Sequence, residues 1–302
     1  MVSLASDGGA ILVTGGSGQL ATSMVRLGGP RIHLVGRPTV DFDQPATLAA
    51  SFAAIQPVAV VNAAAWTAVD AAEANVDGAT RANRDGPQIL AKLCAQAGIP
   101  FVHVSTDYVF DGDKGTPYVE TDPTSPTGVY GRTKADGEQA VLAANPRTIV
   151  LRTSWVYSAT GKNFVRTMIN AAEKNPVLRV VGDQSGGPTA SDDLARAILA
   201  ILERIETGGW QDDYAGIYHA AGTGETTWHG LAVAALEAAG KHGRTMPDVI
   251  AIKTADWPTP ARRPMDSRLD CNKLERVFGI RLPPWQESLV RTVDELLEPS
   301  SP

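Results

Sequence analysis

Short apolar runs alternate with longer alanine-rich stretches along the first half of the chain. The apolar runs are rich in β-branched and aliphatic residues, which is typical of strands buried on both faces. We predict strands at 10–14, 32–35, 58–62, 101–105 and 148–151. The stretches between them have helical composition, and we predict helices at 19–27, 46–55, 74–97 and 130–144. This alternation predicts an α/β fold with a doubly wound parallel sheet and helices on both faces.

The first predicted strand leads into a glycine-rich segment, Gly15-Gly16-Ser17-Gly18-Gln19-Leu20-Ala21. Gly15 and Gly18 have the spacing of a dinucleotide-binding turn between a strand and a helix. Glycine there permits a tight turn and lets the backbone approach a pyrophosphate, which the N-terminus of the next helix holds. Because a strand precedes the turn and a helix follows it, we favour a cofactor site in a Rossmann-type domain over an ordinary turn.

The pattern becomes looser after Asn163, where Pro- and Gly-rich connections separate predicted helices at 164–173, 191–205 and 228–239. We assign residues 1–160 mainly to an NAD(P)-binding Rossmann domain. Residues 161–302 are assigned mainly to a smaller substrate-binding part, with some chain crossing back to the first domain. The end of the chain, 298–302, closes on Pro-Ser-Ser-Pro and is predicted to be unstructured.

Composition and charge narrow the classes of function. The formal net charge is −6 without a long basic run, which disfavours nucleic acid as a partner and leaves a small-molecule ligand. Cys94 and Cys271 lie outside any Cys-x-x-Cys spacing, so neither a disulfide framework nor a zinc site is indicated and a reduced, cytoplasmic setting is expected. We find no signal-peptide pattern and no apolar run of about 18 residues, and we therefore expect no membrane span.

Tyr130 and Lys134 stand four residues apart in a predicted helix and therefore share one face. In that arrangement the ammonium group can lower the pKa of the phenol and still reach a ribose hydroxyl of the cofactor. An unperturbed tyrosine, with a pKa near ~10, transfers protons poorly at neutral pH. Thr106 follows the fourth predicted strand, at the edge of the sheet where its hydroxyl can bond a substrate carbonyl. The three residues together indicate a nicotinamide-dependent oxidoreductase.

Longer motifs resemble a known family. They are 61–70 (VNAAAWTAVD), 105–112 (STDYVFDG), 151–157 (LRTSWVY), 258–264 (PTPARRP) and 267–269 (SRL). Through them nearly the whole chain resembles the extended short-chain dehydrogenases and, within these, the dTDP-4-dehydrorhamnose reductases. The family typically has glycine at the position of Ala21 and often an acid near Val35.

The resemblance implies roles for individual residues. On the cofactor side these are Gly18, Gln19, Leu20, Asp41, Phe42, Ala65, Trp66, Thr67 and Val104, with Tyr130 and Lys134 at the nicotinamide ribose. Thr106, Asp107 and Trp155 would contact a sugar nucleotide. The implied reaction is the NADPH-dependent reduction of the C4 ketone of dTDP-4-dehydro-β-L-rhamnose, the last step in making dTDP-L-rhamnose. Tyr130 would supply the proton, while Lys134 and Thr106 would stabilise the charge that develops on oxygen.

Two groups of arginines bear on how phosphates would be bound. At the end of the second predicted strand, where an NAD-selective site carries an acid, the chain has Val35-Gly36-Arg37. We therefore expect Arg37 to favour a ribose 2′-phosphate, and NADPH to be used at least as well as NADH. Arg262, Arg263 and Arg268 are candidates for a clamp on the diphosphate of the substrate, with a solvated basic loop as the alternative.

Other functions stay open on the sequence. A sugar-nucleotide dehydratase needs a second acid after Asp107, where this chain has Tyr108, and this disfavours dehydration. A sugar-nucleotide 4-epimerase uses the same hydride chemistry, and net consumption of NADPH would distinguish it from a reductase. A similar fold also serves as the non-catalytic regulatory subunit of methionine adenosyltransferase, against which the retained catalytic residues weigh.

Metal dependence and assembly are also open. We predict no metal site among the candidate catalytic residues. Asp294, Glu295 and Glu298 offer Mg²⁺ a place between subunits, although we favour a solvated helix face for these acids. A homodimer is compatible with the sequence.

Overall fold

A computed structural model describes residues 8–298. Its strands are β1 (Ile11–Thr14), β2 (Ile32–Val35), β3 (Ala59–Asn62), β4 (Phe101–Thr106), β5 (Thr148–Thr153), β6 (Val156–Tyr157), β7 (Val177–Val181), β8 (Ser185–Gly186), β9 (Thr189–Ala190), β10 (Gly216–His219), β11 (Thr226–Thr227) and β12 (Asp248–Ile252). Its α-helices are α1 (Gln19–Gly28), α2 (Ala46–Ile55), α3 (Val69–Ala74), α4 (Val76–Thr80), α5 (Gly86–Ala97), α6 (Val129–Ala144), α7 (Phe164–Ala172), α8 (Ser191–Gly208), α9 (Trp228–Gly240), α10 (Asn272–Phe278) and α11 (Trp285–Leu297). Short 3₁₀ segments are Gly29–Arg31, Asp107–Val109, Asp212–Tyr214 and Thr254–Asp256, and a π-helical segment is Arg81–Asp85.

The central sheet has six strands in the order β2-β1-β3-β4-β5-β10, and all neighbouring strands are parallel. The strand order reverses at β1, because β2 lies on one side of it and β3 on the other. Helices α1 and α8 supply buried residues to the core on one face, and α2, α5 and α6 supply them on the other. The predicted α/β fold with a doubly wound, Rossmann-type parallel sheet is confirmed.

The single long helix predicted at 74–97 is wrong. Helical structure begins earlier, at Val69, and is interrupted at Asn75, whose backbone has φ −139° and ψ 67°. The Asn75 side chain accepts a hydrogen bond from the N–H of Gly78 at 3.0 Å, and so caps α4. The helical path then passes through the π-helical segment before it continues as α5. The hydrogen bond between the Asn75 side chain and the backbone therefore interrupts the helix, although the composition of this stretch favours a continuous one.

A second apolar cluster lies within residues 155–297 and includes Val165 on α7, Leu236 on α9 and Leu289 on α11. The chain also returns to the central sheet after residue 160, because β10 pairs with β5 and α8 packs with α1. A boundary at residue 160 stays a prediction. Of the predicted unstructured end, 299–302 lies outside the described residues. Among residues 8–298, no helix is both long and apolar enough to cross a membrane.

Candidate active site

A cleft of about 940 Å³ opens at the carboxyl edge of the central sheet, where open α/β folds bind their ligands. It is lined by most of the predicted cofactor residues: Gly15, Gly18, Gln19, Leu20, Arg37, Phe42, Ala65, Trp66, Thr67, Val104, Tyr130 and Lys134. Three of the predicted substrate residues also line it: Thr106, Asp107 and Trp155. Asp41, Arg263 and Arg268 do not belong to its lining.

The glycine turn has the shape that a dinucleotide requires. Gly15 and Gly16 have φ of 118° and 51°, which glycine adopts more readily than other residues. The N–H of Gly18 donates to the carbonyl of Gly15 at 2.9 Å and closes the turn. Helix α1 then begins at Gln19 without a side-chain cap, so its first N–H groups are left for an anion. The turn therefore fits the pyrophosphate of NADPH.

Arg37 lies at the rim of this part of the cleft, where an NAD-selective site would carry an acid. Its guanidinium is held by Asp41 at 3.0 Å and by Asp43 at 2.6 Å. Asp41 therefore contacts Arg37 and does not line the cleft itself. Both partners are carboxylates, so the guanidinium would have to exchange at least one of them to bind a 2′-phosphate, and the role expected of Arg37 stays a prediction.

Helix α6 carries Tyr130 and Lys134 close against β4. The ammonium of Lys134 donates to the carbonyl of Val104 at 2.6 Å, and its side chain is buried. Gly131 makes this approach possible, because a Cβ there would lie 2.1 Å from the carbonyl oxygen of Tyr108. Both catalytic candidates are thus fixed by the packing of one helix on one strand.

Burial sets the protonation of these two groups. It raises the pKa of Tyr130 to about 12, although a hydrogen bond with Thr106 acts in the opposite direction. It lowers the pKa of Lys134 to about 8, and the nearby Glu138 carboxylate opposes this change. The expectation that Lys134 holds the pKa of Tyr130 below its ordinary value is therefore wrong for this structure. Tyr130 is protonated at neutral pH.

Thr106 and Asp107 extend from the end of β4 into the cleft. The hydroxyl of Thr106 donates to Oδ1 of Asp107 at 2.9 Å and accepts from the N–H of Tyr108 at 3.2 Å. Burial raises the pKa of Asp107 to about 6. Within residues 8–298, its Oδ2 has no hydrogen-bond partner. Because this oxygen is itself buried, a ligand hydroxyl would have to enter the inner end of the cleft to reach it.

Tyr108 occupies the place where a dehydratase would need its second acid. Its ring packs edge-on against Tyr130, with 5.5 Å between the ring centroids. Burial raises the pKa of Tyr108 above that of a free tyrosine. Its phenol therefore stays protonated and does not serve as a base.

An aromatic pair forms another wall of the cleft. The rings of Trp155 and Trp228 stack with 3.7 Å between centroids and 11° between planes. Trp155 has a φ of 48°, a strained conformation for a residue other than glycine, of the kind found at functional sites. Gly186 leaves room for its ring, because a Cβ there would lie 2.5 Å from the indole.

Several residues of the cleft were not among those predicted: Thr153, Ser154, Lys162 and Trp228. Thr153 ends β5 and Ser154 follows it, just as Thr106 ends β4 and Asp107 follows it, and that equivalence was a usable signal. Lys162 and Trp228 come from later segments with no local motif, so only the fold brings them to the cleft.

The arginines of the predicted diphosphate clamp lie outside the cleft lining and pair with carboxylates instead. These pairs are Arg262 with Asp113 at 3.2 Å, Arg263 with Asp70 at 2.8 Å, and Arg268 with Asp266 at 2.7 Å and Glu225 at 2.6 Å. Each guanidinium would have to exchange its partner to reach a ligand. The clamp stays a prediction, to which these contacts lend no support.

The C-terminal acids also have cationic or histidine neighbours. Asp294 lies 2.7 Å from Nε2 of His242, and Glu295 lies 3.7 Å from Arg26. In the part of the chain that the structure describes, no group of three or more His, Cys, Asp or Glu side chains is arranged to hold a metal ion. Nothing in these contacts indicates a role for Mg²⁺.

Comparison with known proteins identifies one family over nearly the whole chain. A family model described as the RmlD substrate binding domain matches residues 9–298. The dTDP-4-dehydrorhamnose reductase of Sinorhizobium fredii is 45% identical over 95% of this chain and 97% of its own. The crystal structure of the Clostridium acetobutylicum reductase is 36% identical, covers 95% of this chain and 99% of its own, and has a TM-score of 0.86. That of the Bacillus anthracis reductase, in complex with NADP, is 30% identical, with coverage of 95% and 99% and a TM-score of 0.86. Since sequence and fold agree from one end of the described chain to the other, the protein belongs to the dTDP-4-dehydrorhamnose reductase family.

Proposed function

We propose that this protein reduces the C4 ketone of dTDP-4-dehydro-β-L-rhamnose to dTDP-β-L-rhamnose with NADPH. The observation that carries the proposal is the meeting of Tyr130, Lys134 and Thr106 in one cleft with the glycine turn. The relatives named above carry the name of this activity, and one of them binds NADP.

When bound, NADPH supplies the hydride that the carbonyl carbon receives. The residues of the chain manage the charge that develops on the carbonyl oxygen. Tyr130, whose pKa of about 12 keeps it protonated, donates its proton to that oxygen. Lys134, held by the carbonyl of Val104, adds positive charge to the lining of the same cleft. Thr106 can donate a hydrogen bond from its hydroxyl to the same oxygen and so orient the carbonyl group, for which it must give up its bond to Asp107.

The substrate side of the cleft suits a deoxysugar. The stacked rings of Trp155 and Trp228 offer a flat apolar wall, on which the less polar face of a sugar ring can pack. The unpartnered Oδ2 of Asp107 can accept a hydrogen bond from a sugar hydroxyl. The free thiols of Cys94 and Cys271 support a reducing, cytoplasmic setting, and a homodimer stays the prediction for assembly.

The test is the loss of NADPH absorbance after addition of dTDP-4-dehydro-L-rhamnose, with the product identified by mass spectrometry. We expect one NADPH to be consumed for each dTDP-L-rhamnose formed. Interconversion of sugar nucleotides without net NADPH consumption would instead identify an epimerase. Tight NADPH binding without any turnover would favour the non-catalytic regulatory subunit.

Replacement of Arg37 by alanine is expected to change cofactor preference. The Arg37→Ala variant should lose about 10- to 100-fold in kcat/KM with NADPH, because a hydrogen bond to a charged group contributes about 1.5–3 kcal/mol. Its kcat/KM with NADH should change less than about threefold, since NADH lacks the 2′-phosphate. Steady-state kinetics and fluorescence titration with both cofactors measure this. Arg81→Ala is the matched control, because Arg81 also pairs with Asp43 at 2.6 Å but does not line the cleft. Equal losses with both cofactors would contradict the assignment.

Lys162 is the remaining source of positive charge for a pyrophosphate. Among residues 8–298, the cations that line the cleft are Arg37, Lys134 and Lys162, and Lys162 has no ion-pair partner there. A Cβ on Gly161 would lie 3.5 Å from the side chain of Gln19, so this loop lies over the cofactor turn.

The Lys162→Ala variant is expected to raise the Kd for NADPH and NADH alike by roughly three- to tenfold, as suits one exposed charge. Its kcat should stay close to that of the wild type. Lys174→Ala, at an exposed lysine outside the cleft, is the control. A rise confined to the KM of the sugar nucleotide would assign Lys162 to the substrate diphosphate instead.

A further inference from the structure

A row of three polar side chains crosses neighbouring strands of the central sheet. Thr14 on β1, Asn62 on β3 and His103 on β4 stand directly opposite one another in the strand register, and all three are buried. Buried polar groups cost free energy unless they are hydrogen-bonded, so their presence in a strand interior calls for a reason. The row ends at Lys134, whose Nζ lies 3.5 Å from Nε2 of His103.

Each hydrogen bond along this row is donated toward the next residue, from Thr14 to Asn62 and from Asn62 to His103. The hydroxyl of Thr14 accepts from the N–H of Ala64 at 3.3 Å and donates to Oδ1 of Asn62 at 2.6 Å. The amide nitrogen of Asn62, at 2.9 Å from Nδ1 of His103, is therefore the donor in that contact. A neutral imidazole that accepts at Nδ1 carries its proton at Nε2. The ring is neutral, because burial and the charge of Lys134 keep the pKa of His103 well below its ordinary value.

His103 thus presents an N–H group, and not an acceptor, to the ammonium of Lys134. Lys134 has no hydrogen bond with Glu138 either, whose carboxylate accepts from Ser105 at 2.5 Å and from Arg152 at 2.7 Å and 2.9 Å. Among residues 8–298, the carbonyl of Val104 is then the one acceptor for Lys134. The other two N–H groups of the ammonium have no acceptor in the described part of the chain and are left for the cleft, which Lys134 lines.

We propose that His103 is a positioning residue, which directs the free N–H groups of Lys134 into the cleft by offering them a donor instead of an acceptor. Asn62 and Thr14 fix the ring and its tautomer, so the strand that leads into the cofactor turn also sets the orientation of the catalytic lysine. The inference rests on the proposed reduction for its effect on turnover, but the tautomer itself does not depend on that function.

The tautomer is measured first, by ¹⁵N NMR of the histidine side chains in the wild-type protein. The signal of His103 is assigned by its loss from a His103→Gln or His103→Asn variant. We expect a protonated Nε2 and an unprotonated Nδ1 throughout the neutral pH range. A proton on Nδ1, or a charged ring, overturns the proposal whatever the activity of the protein.

The effect on turnover is measured with His103→Gln, which places an amide oxygen within reach of Lys134. Because that oxygen can accept a hydrogen bond, it should draw an N–H group of Lys134 away from the cleft. We expect kcat to fall about 10- to 100-fold, the cost of a misplaced catalytic group, with the Kd for NADPH within about twofold of wild type. His33→Gln, at an exposed histidine on β2, is the matched control and should leave kcat unchanged.

Three outcomes separate the explanations. An unchanged kcat in His103→Gln overturns the positioning role. The role is also overturned if the Kd for NADPH rises in proportion to the loss of kcat, because that result would mark His103 as a purely structural residue. Absence of turnover in the wild type would refute the proposed reduction, and the NMR result would then decide on His103 by itself.

Discussion

Tyr130→Phe is expected to lower kcat by about 10²- to 10⁴-fold, the usual contribution of a positioned general acid. The substitution removes only the phenolic oxygen. The phenylalanine ring can keep the edge-on contact with Tyr108, so the packing of the cleft should be preserved. Burial holds the pKa of Tyr130 at about 12, so the wild-type enzyme carries the proton it must donate throughout the neutral range. Rates of NADPH oxidation with saturating substrate measure the loss, and fluorescence titration should show NADPH binding within about threefold of wild type.

Tyr118→Phe is the matched control for this experiment. Tyr118 is a buried tyrosine whose hydroxyl donates to Asp111 at 2.7 Å, but it does not line the cleft. Loss of the Tyr118 hydroxyl should reduce the stability of the fold slightly and leave kcat unchanged. If Tyr130→Phe kept more than about a tenth of the wild-type kcat, another group or a water molecule would be the proton donor, and Thr106 would be the next residue to replace.

The sheet could be predicted because its signals are local. Strands β1 and β3 are buried along their whole length, and such strands are continuous apolar runs with a turn directly after them. The interruption at Asn75 gave no comparable signal, because it depends on a hydrogen bond between a side chain and the backbone N–H of Gly78. Composition describes a whole stretch and does not record which single residue caps a helix.

The same distinction applies to the cleft. The glycine turn and the spacing of Tyr130 and Lys134 are short patterns, and the structure brings them together as the parallel sheet requires. Trp228 faces Trp155 only after the chain has returned from a distant segment, so no spacing could have indicated it. The sequence likewise shows the cluster of Arg262, Arg263 and Arg268 but not the carboxylates with which these arginines pair.

The buried His103 could be predicted only in part from the sequence. A histidine inside an apolar run indicates a buried polar group that needs a partner, but the pattern does not say which one. The partner is set by the register between β3 and β4, which places Asn62 opposite. The pKa of Tyr130 was misjudged for a related reason, because spacing gives the neighbouring charge but not the degree of burial, and burial has the larger effect.

Replacement of Glu138 by glutamine is expected to lower the free energy of unfolding by about 3–5 kcal/mol, the usual cost of breaking a buried ion pair. Glu138 lies one turn beyond Lys134 on α6, and its carboxylate accepts two hydrogen bonds from Arg152 on β5, at 2.7 Å and 2.9 Å. Both side chains are almost completely buried. The variant leaves the guanidinium of Arg152 without its counter-charge in a place that water does not reach. Urea unfolding followed by circular dichroism measures the loss.

The charge, and not the shape, of the pair should account for that loss. A double variant with Glu138→Leu and Arg152→Met removes both charges and fills similar space, so it should be more stable than Glu138→Gln alone. Glu275→Gln, in the exposed pair with Arg281, should leave the urea midpoint unchanged. If the double variant lost as much stability as the sum of its single changes, packing at this contact would be the cause. Because the pair joins α6 to the sheet beside Lys134, the double variant can be stable and still have a lower kcat, which would separate the folding of the helix from the precise placement of its catalytic residues.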